Sequence, residues 1–358
     1  MKKIIFIVND ITITGGLERV VSNLSNIFVE KGQCVKIISL FKNSDKLTYK
    51  LNPEIEIEYL FYPKGIKSRY MRGVIKFIKY LNIIKKLYLE KESIIIGTDY
   101  YINIIISLLD KNTVGMEHVI YESTPKKIRK IKLKRYKKLK KLVVVNRHDY
   151  TAYEKESICI NYIPNPNSFA NFKEEVKKEA EKKQILSIGR LENGKGFENL
   201  IDICSEVFKI KKEWELHIYG KGSLETKLKE LIKLKKMENN IKLKGINRNL
   251  EKVYPNYKFL LSASEMESFS LTLIEAQTFG LPIISYDCPW GPRDIINNTK
   301  DGYLVECFNK QEFKNKIINL IENQNKLKEM SLESINNSKM FNNENIYNYW
   351  KKLFEELD

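Results

Sequence analysis

The apolar run Phe259-Leu260-Leu261, followed by Ser264-Glu-Met-Glu-Ser-Phe-Ser-Leu-Thr-Leu-Ile-Glu-Ala-Gln-Thr-Phe-Gly280, reads as strand, tight loop and helix. Leu271, Leu273, Ile274 and Phe279 recur at helix-compatible spacing, and Gly280 with Pro282 marks the stop. Glu267 lies in the loop and Glu275 inside the helix. On one continuous helix these two would sit about 80° apart and roughly 12 Å along the axis. Because Glu267 precedes the first turn, it can curl over the helix start instead, while Glu275 points along the side. Two carboxylates around free N–H donors suit a ligand with hydroxyls at both ends and phosphate between them, the layout of a nucleotide-sugar. The bland alternative is a carboxylate capping the helix and a solvated Glu within it.

Outward from that stretch, strand and helix signals alternate through the whole chain. Ile4 to Val8, Val35 to Leu40, Ser93 to Gly97, Thr113 to Met116 and Leu142 to Val145 read as buried strands of a first half. Ile185 to Ile188, Leu216 to Tyr219, Ile241 to Leu243, Phe259 to Leu261, Ile283 to Tyr286 and Tyr303 to Val305 do so in the second. Such alternation predicts α/β domains with parallel, doubly wound sheets. Ile163-Pro-Asn-Pro-Asn167 is a stiff turn suited to a hinge, and the charged segment Lys173 to Lys183 follows it. The expected domains are 1–166, 167–340 and a terminal helix, 341–358, packing back on the first domain. In that helix Ile346, Tyr347, Trp350, Leu353 and Phe354 share a face.

The 358 residues carry a formal charge of +17, which implies an anionic partner: nucleic acid, anionic membrane or phosphorylated substrate. Between Lys126 and Lys141 eleven of sixteen residues are basic, a solvated helix face or one turned to membrane or phosphate. In that run Ile128, Ile131, Leu133, Tyr136 and Leu139 are spaced to form an apolar helical stripe. Ser68 to Glu90 reads as a second basic helix, resting on an anionic membrane or packed with Lys stems on its rim. The five cysteines show neither C-x-x-C nor zinc spacing with the three histidines, which fits a reducing compartment. The opening apolar run is too short for a signal peptide, and no segment has the roughly 20 apolar residues that span a bilayer. The expectation is a cytoplasmic protein.

Two further loops bear on phosphate. Gly15-Gly16, before a helix beginning at Leu17, lets backbone approach an anion or simply makes a turn; it is not G-x-G-x-x-G. Gly189-Arg-Leu-Glu-Asn-Gly-Lys-Gly196 sets Arg190 and Lys195 in a glycine-rich loop after a strand, without Walker spacing. One cation binds oxygens bidentately and the other acts as a point charge. Alone this is a basic surface loop; with the carboxylate motif about 75 residues later it reads as a diphosphate site. His118 follows a strand at its carboxyl end, where open α/β sheets bind ligands.

Taken in order, these motifs resemble the retaining glycosyltransferases of family four, with the GT-B fold. The resemblance runs through Gly15-Gly16-Leu17-Glu18, His118, Ile163-Pro-Asn-Pro166 and Gly189-Arg190-Leu191 with Lys195-Gly196. It continues in Tyr219-Gly-Lys-Gly222, Lys244-Gly245, Ser264 to Ala276, Gly280-Leu-Pro282 and Asp301-Gly-Tyr-Leu-Val305. Cys288-Pro-Trp-Gly-Pro-Arg293 looks like the branch that builds bacterial surface polysaccharides and lipid-linked oligosaccharides, capsule and lipopolysaccharide among them.

The resemblance implies two Rossmann-like domains facing a cleft, with the motif above as one wall. Arg190 and Lys195 would hold the donor diphosphate, and Glu267 the transferred sugar. Glu275 would bind the ribose, with Gly245, Ser268, Phe269, Ser270 and Leu271 completing the donor set. Gly15-Gly16 would close on the phosphates, and His118 would sit near sugar and acceptor. These roles assign catalysis to His118, Arg190, Lys195 and Glu267. The family has Gly where Ser268, and often where Ser270, stand here, which narrows the cradle and puts sugar identity in doubt.

The branch implies a UDP-linked hexose or N-acetylhexosamine as co-substrate, with no cofactor and no metal. It also implies a lipid-linked or glycan acceptor, retention of anomeric configuration and a place on the inner face of the plasma membrane. Other readings are a nucleic-acid-binding protein using residues 126–141, testable by a salt-sensitive mobility shift, and a nucleotide-sugar epimerase of the same fold.

Overall fold

Most of the apolar runs become strands buried on both faces, as in parallel sheets; the run at Ile241 to Leu243 forms an edge strand with only Ile241 buried. The computed structural model describes residues 2–60, 87, 92–109, 111–170, 172 and 182–357. The basic helix expected over 68–90 lies outside the described residues, Leu87 excepted. The chain divides into two units, Met1–Ser168 with Asn343–Asp358, and Phe169–Asn342.

In the first unit the strands are β1 (Lys3–Val8), β2 (Val35–Ser39), β3 (Glu56–Tyr59), β4 (Ser93–Gly97), β5 (Asn112–Glu117), β6 (Lys141–Val144) and β7 (Ile160–Tyr162). They form one parallel sheet, ordered β3-β2-β1-β4-β5-β6-β7. The edge strands β3 and β7 carry no apolar run, and the sequence reading did not include them. Glu56 and Glu58 of β3 instead pair with Lys36 Nζ at 2.7 and 3.1 Å. The helices are α1 (Gly16–Glu30), α2 (Tyr100–Ile106), α3 (Lys126–Tyr136) and α4 (Arg147–Glu154). Asp99 caps α2, its carboxylate accepting from Tyr101 N at 2.8 Å and Ile102 N at 3.0 Å.

The second unit contains β8 (Gln184–Ile188), β9 (Glu215–Tyr219), β10 (Ile241–Gly245), β11 (Phe259–Ser262), β12 (Ile283–Tyr286) and β13 (Gly302–Val305), ordered β10-β9-β8-β11-β12-β13. All are parallel. Between them run α5 (Phe197–Ile210), α6 (Glu225–Leu234), α7 (Leu271–Thr278), α8 (Pro292–Ile295), α9 (Lys310–Glu322) and α10 (Gln324–Ser338). Leu200, Ile201, Cys204, Val207 and Phe208 of α5 and Phe313, Ile317 and Leu320 of α9 pack with Ile185, Leu216, Ile218, Phe259 and Leu261 in one core.

Helix α11 (Asn343–Glu355) returns to the first unit. Trp350, 1% exposed, meets the Phe28 ring edge-on at 5.7 Å, and Phe354 meets it at 5.4 Å. Ion pairs flank this contact, Lys31 with Glu344 and Lys141 with Glu356, the latter at 2.5 Å.

In each sheet the strand order reverses at one place, between β1 and β4 and between β8 and β11. Open α/β sheets bind ligands at the carboxyl ends of the strands flanking such a reversal. No helix among the described residues is long and apolar enough to cross a membrane.

Candidate active site

At the reversal of the second sheet, the loops after β8 and β11 carry six of the sequence-selected groups. The loop Gly189–Gly196 is held from behind by the turn after β9. Gly189 N donates to Tyr219 O at 3.0 Å, Leu191 N to Lys221 O at 3.0 Å, and Leu224 N to Leu191 O at 2.9 Å. Gly220 has φ +151°, and a Cβ there would lie 1.8 Å from Gly189 O. Ser223 gives Glu192 two hydrogen bonds, from N at 2.9 Å and Oγ at 2.5 Å; these, with nearby Arg190, hold the Glu192 carboxyl below its usual range. Arg190 itself is exposed.

The two loops touch through backbone. Glu265 N donates to Gly194 O at 2.9 Å. Gly196 caps α5 with φ +67°, its Cα so near Ala263 that a Cβ would stand 1.9 Å from the Ala263 carbonyl oxygen. This approach brings Lys195 Nζ to 2.6 Å from Glu267 Oε2, both side chains about one-fifth exposed (22% and 19%). The phosphate-binding cation and the sugar-binding carboxylate of the sequence reading are thus direct partners.

A third loop, after β12, fixes the Glu267 backbone. Gly291 N donates to Glu267 O at 2.8 Å, and Trp290, at φ +94°, pairs with Glu267 in an isolated parallel bridge. Phe269 is buried edge-on against Phe341. Ser270 is the N-cap of α7, yet its Oγ lies 3.0 Å from Thr272 Oγ1 and makes no cap hydrogen bond. Ser268 beside it is half-buried, as is Leu271, the first residue of α7.

Glu275 is not the solvated helical Glu of the bland reading. It is 0% exposed, and its Oε2 accepts from Tyr254 O–H at 2.8 Å. The Tyr254 ring stacks on Phe279 at 5.1 Å. Gly245 ends β10 at φ +68°, its carbonyl accepting from Gly220 N at 2.9 Å.

In the first unit Gly15 is the extended N-cap of α1 and Gly16 its first residue. Neither needs positive φ; a Cβ on Gly15 would instead meet Glu18 Oε2 at 2.1 Å. Burial pushes the Glu18 carboxyl up. His118 directly follows β5. Its Nε2 is buried and has no hydrogen-bond partner among the described residues. Burial lowers its pKa to about 4, outweighing the Glu117 carboxylate, so the ring is neutral at pH 7.

The basic run is not wholly solvated. Lys132 is 1% exposed and pairs with the fully buried Glu117 at 2.8 Å. The remaining face of α3 presents Lys126, Lys127, Lys130 and Lys134 to solvent. The expected apolar stripe is only partial: Tyr136 and Leu139 are buried, while Ile131 is 56% exposed among these lysines. Sequence reasoning passed over Glu117, Lys132 and Tyr254, and it picked out Trp290 and Gly291 as part of a family motif but not their hold on Glu267. Only the spacing of Lys132 one helical turn before Tyr136 hinted at the second of these.

One group among the described residues has metal-ligand character, Glu122, His148 and Asp149, with ligand atoms within 4.8 Å of one another. Both Asp149 oxygens already accept hydrogen bonds, Oδ1 from Tyr121 N at 3.0 Å and Oδ2 from Asn146 Nδ2 at 2.9 Å.

Residues 168–337, nearly all of the second unit, match the model of the family "Glycosyl transferases group 1". Over 363 residues the chain is 27% identical to an uncharacterized glycosyltransferase of Haemophilus influenzae, covering 99% of this chain and 100% of the relative. It is 26% identical over 367 residues to the amylovoran biosynthesis glycosyltransferase AmsD of Erwinia amylovora, covering 99% of each. The crystal structure of a Staphylococcus aureus TarM mutant with Fondaparinux, alpha-GlcNAc-glycerol and UDP superposes with a TM-score of 0.83 at 18% identity, covering 99% of this chain and 100% of TarM. The fold is accordingly the GT-B architecture of two Rossmann-like units.

Proposed function

We propose that the protein is a glycosyltransferase of bacterial cell-surface glycan biosynthesis. It moves a hexose or N-acetylhexosamine from a UDP-sugar to a lipid-linked or polysaccharide acceptor, with retention of configuration and without a metal ion. The Lys195–Glu267 pair at the sheet reversal carries this reading: cation and carboxylate are held 2.6 Å apart on loops locked by Gly196 and Gly291. Whole-length similarity to AmsD and the UDP bound to TarM support the pathway and the nucleotide.

The chemistry follows from charge. A departing nucleoside diphosphate develops negative charge, which Arg190, Lys195 and the N-terminus of α7 stabilise in this reading. Phosphate oxygens compete with Glu267 for Lys195, and each ionic bond Lys195 transfers to phosphate releases Glu267 for sugar hydroxyls. Glu275 serves the ribose, and Gly245 with Ser268 to Leu271 lines the donor cradle. Ser268 and Ser270 add hydroxyls there that select among sugars.

His118, neutral at pH 7, serves the sugar and acceptor, and Gly15-Gly16 the phosphates. The lysine face of α3, with Ile131 exposed in its midst, rests on anionic lipid at the inner face of the plasma membrane.

The test is incubation of purified protein with UDP-sugars and lipid-linked acceptor, following UDP release and glycan product. Glu267→Ala should abolish product and Glu275→Ala should raise the donor KM. Failure of every UDP-sugar to yield product, with interconversion of free nucleotide-sugar instead, would overturn the reading.

A further inference from the structure

The Glu117–Lys132 pair is the most deeply buried ion pair among the described residues, at 0% and 1% exposure. A buried pair persists only when the remaining polar atoms are satisfied, and a hydrophobic pair of equal volume is often as stable. Here satisfaction is thorough. Glu117 Oε2 accepts from Lys132 Nζ at 2.8 Å and from Tyr136 O–H at 2.7 Å, with Tyr153 O–H at 3.5 Å. Lys132 Nζ also donates to Thr124 Oγ1 at 3.2 Å and faces the rings of Tyr100, Tyr136 and Tyr153 at 5.6, 5.6 and 5.9 Å. Burial raises the hydroxyls of Tyr136 and Tyr153 far above the ordinary range, so both stay donors.

The other carboxylate oxygen does something local. Glu117 Oε1 accepts from Val119 N at 3.0 Å, so the side chain of the residue before His118 grips the N–H of the residue after it. His118 Nε2 makes no hydrogen bond among the described residues, so that nitrogen does not anchor the ring. The backbone on either side therefore sets where the ring points, and the Glu117 carboxylate that sets the backbone is anchored by Lys132 from the basic helix α3.

We propose that Glu117 and Lys132 are positioning residues that clamp the peptide around His118 and so aim its imidazole. The proposal builds on the assignment of His118 to the sugar and acceptor. It also gives one lysine of the basic run a task distinct from its exposed neighbours.

The test removes the anchor and reads His118 directly. In Lys132→Met the stem remains and the charge is lost. Turnover should fall on the order of 100-fold, the effect of displacing a reacting group by about 1 Å, with donor KM within about twofold. The NMR titration of His118, assigned by the signal missing in His118→Gln, should move from about 4 toward the ordinary 6.5 as the ring is released to solvent and the Glu117 carboxylate loses its counter-charge. The double variant Glu117→Gln/Lys132→Met restores a neutral pair and keeps an acceptor for Val119 N. It should recover at least tenfold of the lost turnover and a low His118 midpoint.

A folded Lys132→Met protein with wild-type turnover and His118 still titrating near 4 would overturn the clamp. If Lys132→Met does not fold, the double variant decides: turnover still about 100-fold down beside a low midpoint would equally overturn it. A moved midpoint with unchanged turnover would overturn the clamp if His118→Gln is inactive, because loss of the Lys132 charge beside Glu117 raises the midpoint without moving the ring; it would sink the assignment of His118 to the reaction if His118→Gln is as active as wild type.

Discussion

Replacing Gly196 by alanine tests whether close approach of two loops builds the site. The residue has φ +67°, and its added Cβ would fall 1.9 Å from Ala263 O, 2.6 Å from Ala263 C and 2.9 Å from Ala263 Cβ. Two of these atoms are backbone and cannot swing aside. Since Cβ atoms do not approach within 3.0 Å, the loops must part by at least about 1.1 Å, the difference between 3.0 and 1.9 Å. The displaced residues are Lys195 on one side and the segment leading to Glu267 on the other, so their 2.6 Å pair opens. Left-handed strain adds about 1–2 kcal/mol, roughly 2–8 °C in Tm for units of this size.

The larger effect is on turnover. A misplacement of about 1 Å costs on the order of 100-fold in kcat/KM. Gly32→Ala is the control, because Gly32 has φ +79° with nothing within 4 Å of an added Cβ and lies at the end of α1. It carries the same strain without the displacement. Both variants are assayed for UDP release from the donor found active and for thermal unfolding. Comparable melting losses with a selective activity loss in Gly196→Ala are expected. Turnover of Gly196→Ala within about threefold of wild type, or an equal loss in Gly32→Ala, would refute the reasoning.

Lys195→Ala should lower kcat by about 10²–10³-fold, as loss of one group stabilising the leaving charge does, while melting changes little because the pair is partly solvated; a twofold effect on kcat would remove Lys195 from the phosphate role. Trp350→Ala should destabilise the first unit by about 3–5 kcal/mol, read from denaturant unfolding or hydrogen exchange of α1, since the indole is 1% exposed against Phe28; under 1 kcal/mol would contradict the packing. Asp301, fully buried, has its pKa raised by burial from 3.8 to about 7. Its ionised form is disfavoured in the fold, so the contribution of this group to stability should be fully present below about pH 4 and be lost as pH rises through about 7, by at most about 1.4 kcal/mol per pH unit. The difference between wild type and Asp301→Asn over that range isolates this contribution, and parallel pH profiles of the two would refute it.

Local pattern alone determined the α/β class and the alternation of strands. It also located the glycine-rich and carboxylate loops at strand ends, because apolar runs and helix periodicity are short-range properties of the chain. Strands without that property, β3 with its alternating Glu56 and Glu58 and the three-residue β7, became visible only through the neighbours they pair with. Arg190, Lys195, Glu267 and Glu275 could be selected as chemistry, but their states could not. That Lys195 faces Glu267 depends on Gly196 meeting Ala263 across 67 residues of sequence, and that Glu275 is buried depends on Tyr254. Lys132 makes the point most sharply: among eleven basic residues its composition is no different, and only the approach of α3 to the end of β5 decides which lysine leaves water. Burial of a charge is worth its desolvation only where a partner and hydroxyl donors already converge, and that convergence belongs to the tertiary structure.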